Sequence, residues 1–353
     1  MGRRIVNVES FSVGKNEFKN DDDMYIGNNF AAVIDGVSNK SSVIINGKKV
    51  RIAEIITEAI RKLDRPDAPV YAKALVFEDF VRFINLYIKE YLQRHDLVEQ
   101  VGKMEATGVI YSKFHNQIWL VGDCRAIYDG KVIQNPLKID EVYIDIRKRL
   151  IQALLQEGNI EEKLIKEDVS RDIIKKPQLI YEYILNPNLR QEVENYRDMR
   201  IRQALLECGF TETMIELNNL VKKYYNPRDL QQYVKNNPNV GPFGYAIFNG
   251  IKTETKNCKV VTLPENVKTI KMFSDGFPVT ALKKDIGYAV RSIRKEAKND
   301  ILSIGNNSAT HNAVRYSKRP NRDEEYSIDD ATAIIIGIED DTREKNEEVR
   351  NEV

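Results

Sequence analysis

A mixed α and β fold, β-rich at both ends and interrupted by a helical block, is what this sequence predicts. Short apolar runs bounded by Gly, Asn and Asp open and close the chain. Two segments between residues 50 and 93 repeat apolar side chains at helical spacing. From about Tyr143 to Lys235 the pattern turns helical almost throughout.

The first stretch reads as strands. Ile5-Val6-Asn7-Val8 and Phe11-Ser12-Val13 precede a polar turn from Gly14 to Asp23, then Met24-Tyr25-Ile26. Asn28-Asn29 turns the chain into the strand Phe30 to Ile34. Val50 to Leu63 carries Ile52, Ile55, Ile56, Ala59, Ile60 and Leu63 on one helical face. Tyr71 to Gln93 does the same with Phe77, Phe80, Val81, Ile84, Ile88 and Tyr91. Strands return from Ala106 to Val132, with Asp129-Gly130 as a hairpin turn.

In the helical block, runs such as Arg149 to Leu155 and Met199 to Leu206 are separated by Asn186-Pro187-Asn188, Cys208-Gly209-Phe210-Thr211 and Asn226-Pro227-Arg228-Asp229. The last two read as a helix stop followed by a cap and a restart. Strands resume at Tyr245 to Phe248, Lys259 to Leu263 and Thr269 to Phe273. A helix over Asp285 to Lys298 and a strand over Ala331 to Ile338 complete the pattern. The charged segment 339–353 has the composition of a disordered tail. The expected division is therefore 1–142, a mostly helical insertion at 143–240, a second β-rich part at 241–338, and the tail.

Composition narrows the function classes. At 353 residues, 42% hydrophobic and 30% charged, the chain can bury a substantial core. Its 54 basic and 53 acidic side chains nearly cancel, which argues against a nucleic-acid partner or an anionic membrane surface. Cys124, Cys208 and Cys258 show neither metal-type spacing nor an even count, so a reducing, cytoplasmic setting is expected. No apolar run approaches about 18 residues, and no signal-peptide stretch follows Met1.

Four segments end an apolar strand on aspartate: Ala31 to Gly36, Trp119 to Ala126, Ile270 to Gly276 and Ser327 to Thr332. A carboxylate at a strand end is held on a rigid element, and several converging there suit a hard divalent cation. The segments lie far apart in sequence, so only the fold brings them together. That is what a metal-dependent hydrolase needs. The histidines His95, His115 and His311 lie outside every one of these motifs. Arg125 after Asp123 reads either as a phosphate or carboxylate partner or as a structural ion pair.

In order and spacing these segments resemble the metal-dependent protein phosphatases of the protein phosphatase 2C-like family, from about Val13 to Ile338. Asn20-Asp21-Asp22 is similar to the family's Asn-Glu-Asp, Asp35-Gly36 to its Asp-Gly, and Gly122-Asp123-Cys124-Arg125-Ala126 to its Gly-Asp-Ser-Arg-Ala. Ser274-Asp275-Gly276 matches Ser-Asp-Gly, and Asp329-Asp330-Ala331-Thr332 the closing Asp-Asn-x-Thr. The resemblance implies a four-layer αββα sandwich, an α+β fold of two antiparallel sheets flanked by helices.

It also implies two Mn²⁺ or Mg²⁺ ions and a serine/threonine phosphatase acting on phosphoproteins. Asp35 would bridge the ions, Asp275 and Asp329 would complete one shell, and the Gly36 carbonyl would serve the other. Asp21 would reach the second ion through water, with Asp22 beside it. Asp123 holds the position that bacterial members use for a third, weaker metal.

Departures qualify the match. Val37 stands where eukaryotic members carry a histidine. The substrate-phosphate arginine falls near Glu17, leaving Lys15 or Lys19 as candidate substitutes. The helical block lengthens the stretch where relatives carry a flap, which suggests substrate choice or docking of a partner kinase or regulator. Alternatives on the same fold are a pseudophosphatase binding module and a small-molecule phosphatase.

Overall fold

The computed structural model describes residues 3–13, 20–37, 42–135, 138–158, 184–276 and 330–340. These fall into two compact units, one from 3–135, 246–276 and 330–340, the other from 138–158 and 184–245.

Among the described residues, the strands of the first unit are β1 (Arg3–Val13), β2 (Asp23–Ile26), β3 (Phe30–Gly36), β4 (Ser42–Ile45), β5 (Lys48–Arg51), β6 (Ala106–Ser112), β7 (Gln117–Val121), β8 (Arg125–Tyr128), β9 (Lys131–Gln134), β10 (Lys259–Thr262), β11 (Thr269–Phe273) and β12 (Ala331–Asp340). One antiparallel sheet has the order β1-β12-β11-β8-β9, a second β10-β7-β6-β3-β2, and β4-β5 is a separate hairpin. The helices α1 (Ile52–Leu63), α2 (Val70–Lys73) and α3 (Phe77–Arg94) lie between β5 and β6 in the chain.

Period-2 alternation sorts the buried side chains. Ala31, Val33, Val109 and Leu120 of the second sheet pack with Ala126, Ile270, Met272, Ile334 and Ile336 of the first, forming the core between the sheets. The alternate residues Phe30, Ala32, Ile34, Ile110 and Trp119 face the other way, against Ile56, Ile60, Phe80 and Ile84 of α1 and α3. Trp119 sits 5.0 Å from the Phe80 ring and 5.7 Å from Phe77. Burial of such rings contributes roughly 1.5–3 kcal/mol each. The expected fold, two antiparallel sheets with flanking helices, is therefore present. The helix expected over 285–298 lies outside the described residues, as do 341–353 of the expected tail; its first two residues, Glu339 and Asp340, instead continue β12, paired with Arg4 and Arg3.

Several expectations need correction. Residues 5–13 form one strand, not two, because a bulge between Asn7 and Glu9 absorbs the break in pattern. Residues 42–51 form a hairpin, turned by Asn46 and Gly47 at φ 51° and 76°, so α1 begins at Ile52 and not at Val50. The second helix begins at Phe77, with the separate turn α2 before it. Tyr245 to Phe248 is no strand: it makes only isolated bridges, Lys235 with Tyr245 and Ala106 with Phe248.

The second unit is helical: α4 (Lys138–Glu157), α5 (Pro187–Glu207), α6 (Glu212–Leu217), α7 (Leu220–Lys223) and α8 (Pro227–Val234). Asn186 caps α5 through the Asn188 N–H, ahead of Pro187 in the first turn. Gly209 at φ 92° follows α5, and the Thr211 hydroxyl accepts from the Met214 N–H to start α6. Asp145 on α4 accepts from Tyr196 on α5 and pairs with Arg200, while the Tyr143 hydroxyl donates to the Tyr224 carbonyl.

Candidate functional site

Asp35 is the penultimate residue of β3, and across the ladder its register partner is Thr107 of β6. The Thr107 hydroxyl donates to Oδ1 of Asp123 at 2.9 Å. Asp123 follows Gly122, which has φ 83° and would place a Cβ only 2.3 Å from the Thr107 side chain. Glycine is thus needed there, so that the chain after β7 can turn and bring Asp123 onto Thr107.

On the opposite edge, β2 pairs with β3 so that Asp23 faces Ile34. That register sets Asp21 and Asp22, both buried, alongside the Asp35–Gly36 end of β3. The carboxylates of Asp35, Asp123 and Asp22 all bear on one buried thiol. Burial first, and then these negative charges, push Cys124 well above its ordinary pKa. Cys124 is accordingly a neutral packing residue and not a nucleophile.

The first sheet contributes its own strand ends. Ser274 follows β11, and its N–H donates to the Thr332 carbonyl at 2.9 Å while the Thr332 N–H donates to the Ser274 hydroxyl at 3.0 Å. This clasp locks the turn carrying Asp275 and Gly276 to the start of β12. Asp330, buried just before β12, accepts the Asp21 N–H at 2.9 Å and so joins the two corners. Ser12 on β1 shares a hydrogen bond with the Thr332 hydroxyl at 2.8 Å and accepts from Asn20 at 2.7 Å.

Two cations from β5 complete the corner. Arg51 donates to the carbonyls of Asn20 and Asp22, each at 2.7 Å, and to Glu54 at 2.8 Å. Lys49 pairs with Asp21 at 2.9 Å. Thr57 on α1 holds Asp23 at 2.5 Å, which keeps that carboxylate apart from its two acidic neighbours.

Asp21, Asp22, Asp35, Gly36, Asp123 and Asp275 thus belong to the strand ends of one unit. Asp329, Lys15 and Lys19 lie outside the described residues. Among the described residues, no group of three or more His, Cys, Asp or Glu side chains is assembled to hold a metal ion. In donor chemistry the corner fits a hard divalent cation: carboxylate and carbonyl oxygens, with no imidazole among the described residues there and the neighbouring Cys124 thiol kept neutral. His115 serves the scaffold, its ring bonded to the Ala74 and Leu75 carbonyls at 3.1 Å. Lys49, Arg51 and Thr107 escaped the sequence reading, and Asp330 enters it only as part of the closing motif, with no role of its own. Only Asn46-Gly47, a hairpin signal, pointed towards the first two.

No family model and no curated protein matches the chain. Among solved structures it is similar to the catalytic domain of the serine/threonine protein phosphatase PstP in complex with two manganese ions, at 13% identity and TM-score 0.40, over 96% of this chain and 100% of that one. The serine/threonine phosphatase Stp1 from Staphylococcus aureus is 13% identical, with TM-score 0.41, over 96% and 98%. PppA, a regulatory component of the T6SS in Pseudomonas aeruginosa, is 13% identical, with TM-score 0.39, over 96% and 98%. At these identities and scores the likeness assigns no activity and no residue role to this chain. No helix among the described residues is long and apolar enough to cross a membrane.

Proposed function

We propose that this chain is a Mn²⁺- or Mg²⁺-dependent phosphatase acting on phosphoserine or phosphothreonine in proteins. The reading is supported above all by the aspartates on strand ends of both sheets, tied together by the Asp21 N–H on Asp330. Asp35, the Gly36 carbonyl, Asp21, Asp22, Asp275 and Asp329 are the groups to hold two cations, with Asp123 available to a third. Bound there, such ions acidify a shared water and neutralise phosphoryl oxygens.

The protein's own part is position. Thr107 restrains the Asp123 carboxylate. Arg51 fixes the backbone that carries Asp21 and Asp22. The Ser274–Thr332 clasp fixes Asp275. Such preorganisation spares reorganisation at the moment of reaction. The helical unit is assigned to docking of the phosphoprotein or of a partner kinase or regulator.

Hydrolysis of p-nitrophenyl phosphate and of a phosphothreonine peptide tests the assignment, with Mn²⁺, with EDTA and with Asp35→Asn. Turnover should require the metal and fall at least about a hundredfold in D35N, with the circular dichroism melt preserved. Near-normal turnover by a folded D35N overturns the reading. Preference for the peptide supports a protein substrate.

A further inference from the structure

Two cations project from one face of β5, and they do different work. Lys49 and Arg51 stand two residues apart, so both face the Asn20–Asp22 segment, while Lys48 points the other way and is exposed. Arg51 is a strut, engaged with two backbone carbonyls and with Glu54. Lys49 makes one ion pair, from Nζ to Oδ1 of Asp21. The Asp21 side chain is 10% exposed and that of Lys49 35%, so the carboxylate is fixed and the ammonium sits at the rim.

We infer that Lys49 is a tethered counter-ion of the carboxylate corner, which competes with a divalent cation for Asp21. The inference rests on the metal-dependent reading above. Asp21, Asp22, Asp35 and Asp123 crowd anionic charge at the end of one sheet, and buried carboxylates are costly unless compensated. An ammonium on Asp21 offsets part of that cost when no metal is present. A divalent cation that Asp21 holds through water draws on the same carboxylate and is repelled by the same positive charge. The lysine stem is long and flexible, so Nζ can leave for solvent when a cation arrives. Lys49 therefore stabilises the metal-free corner and lowers metal affinity by the same free energy, as linkage requires.

Calorimetric titration of Mn²⁺ into wild type, Lys49→Gln and Lys48→Gln tests this, with thermal melts in EDTA and in saturating Mn²⁺. K49Q should bind Mn²⁺ about three- to tenfold more tightly. It should melt below wild type in EDTA, and Mn²⁺ should narrow that gap. K48Q, lacking an equal charge one residue away, should behave as wild type. If K49Q does not fold, Lys49→Met keeps the aliphatic stem and takes its place. Unchanged or weaker Mn²⁺ binding by K49Q, with the same melting deficit in both conditions, overturns the role of Lys49 alone. No binding by either protein overturns the metal reading and the competition with it.

Discussion

The Thr107 hydroxyl donates to Asp123 at 2.9 Å while the Thr107 backbone sits opposite Asp35 in the β3–β6 ladder. One threonine thereby connects two candidate metal aspartates, one on β3 and one in the turn between β7 and β8. Thr107→Val keeps the shape and β propensity but removes the donor. A hydrogen bond to a charged group contributes about 1.5–3 kcal/mol, so Asp123 should lose its fixed orientation. The expected outcome is a rise of about threefold or more in the Mn²⁺ concentration for half-maximal hydrolysis, with the fold retained. Thr107→Ser should restore the wild-type value. An unchanged Mn²⁺ dependence in T107V would place Asp123 outside the working site.

The place of Asp35, Asp123 and Asp275 at or just after buried strands was legible because each ends an apolar run, and such runs report burial directly. The residues that orient them were not. Thr107 acquires its role from the register of β3, β6 and the turn at Gly122, and register is a property of paired strands rather than of one segment. Asp330 stands in the closing motif, but its part in joining the two sheets shows only once the Asp21 N–H is found on it. At β1 the sequence misleads for a local reason: the bulge at Asn7–Glu9 breaks the period without ending the strand. At Val50 the apolar side chain of a hairpin strand runs into the first apolar residue of α1, so two elements read as one. Tyr245 to Phe248 misleads in the opposite direction. Its apolar residues are buried, yet a single bridge to Ala106 serves Phe248 where a ladder was expected.

Glu54 closes the first turn of α1, accepting the Arg51 N–H at 3.0 Å and the guanidinium at 2.8 Å. Burial pushes its carboxyl up, but the Arg51 hydrogen bonds and charge outweigh this and hold it below its ordinary value. The folded protein therefore favours the carboxylate. The resulting stability is present above about pH 4.5 and is lost as the pH falls through the folded-state value. Because the Glu54 side chain is 37% exposed, solvent screens the effect. Glu54→Gln should cost about 0.5–1 kcal/mol near neutral pH. Urea melts at pH 7, 5, 4 and 3 should show the gap between wild type and E54Q closing with acid. A gap independent of pH would mean that geometry, not charge, stabilises this helix start.

Asn85 is a buried amide on α3 whose hydrogen bonds are all directed at the loop after Phe248 or at its own helix. Its oxygen accepts the N–H groups of Asn249 and Gly250 at 3.2 and 3.0 Å. Its nitrogen donates to the Val81 carbonyl at 3.0 Å and to Thr253 at 2.9 Å. The Thr253 hydroxyl in turn donates to the Ile247 carbonyl at 2.7 Å. This network holds Phe248 against Ala106, the residue before Thr107, so a scaffold contact lies one residue from the site. Asn85→Leu fills the space but leaves the buried Gly250 N–H and the half-buried Asn249 N–H without that acceptor, a loss of about 2–4 kcal/mol. Trp119, the single tryptophan and fully buried, reports the unfolding by fluorescence. Hydrogen exchange at the Gly250 amide should accelerate in N85L more than exchange in the middle of β3. A melt within about 0.5 kcal/mol of wild type would mean that the loop finds other acceptors, and that Ala106 is held by its ladder with β3 alone.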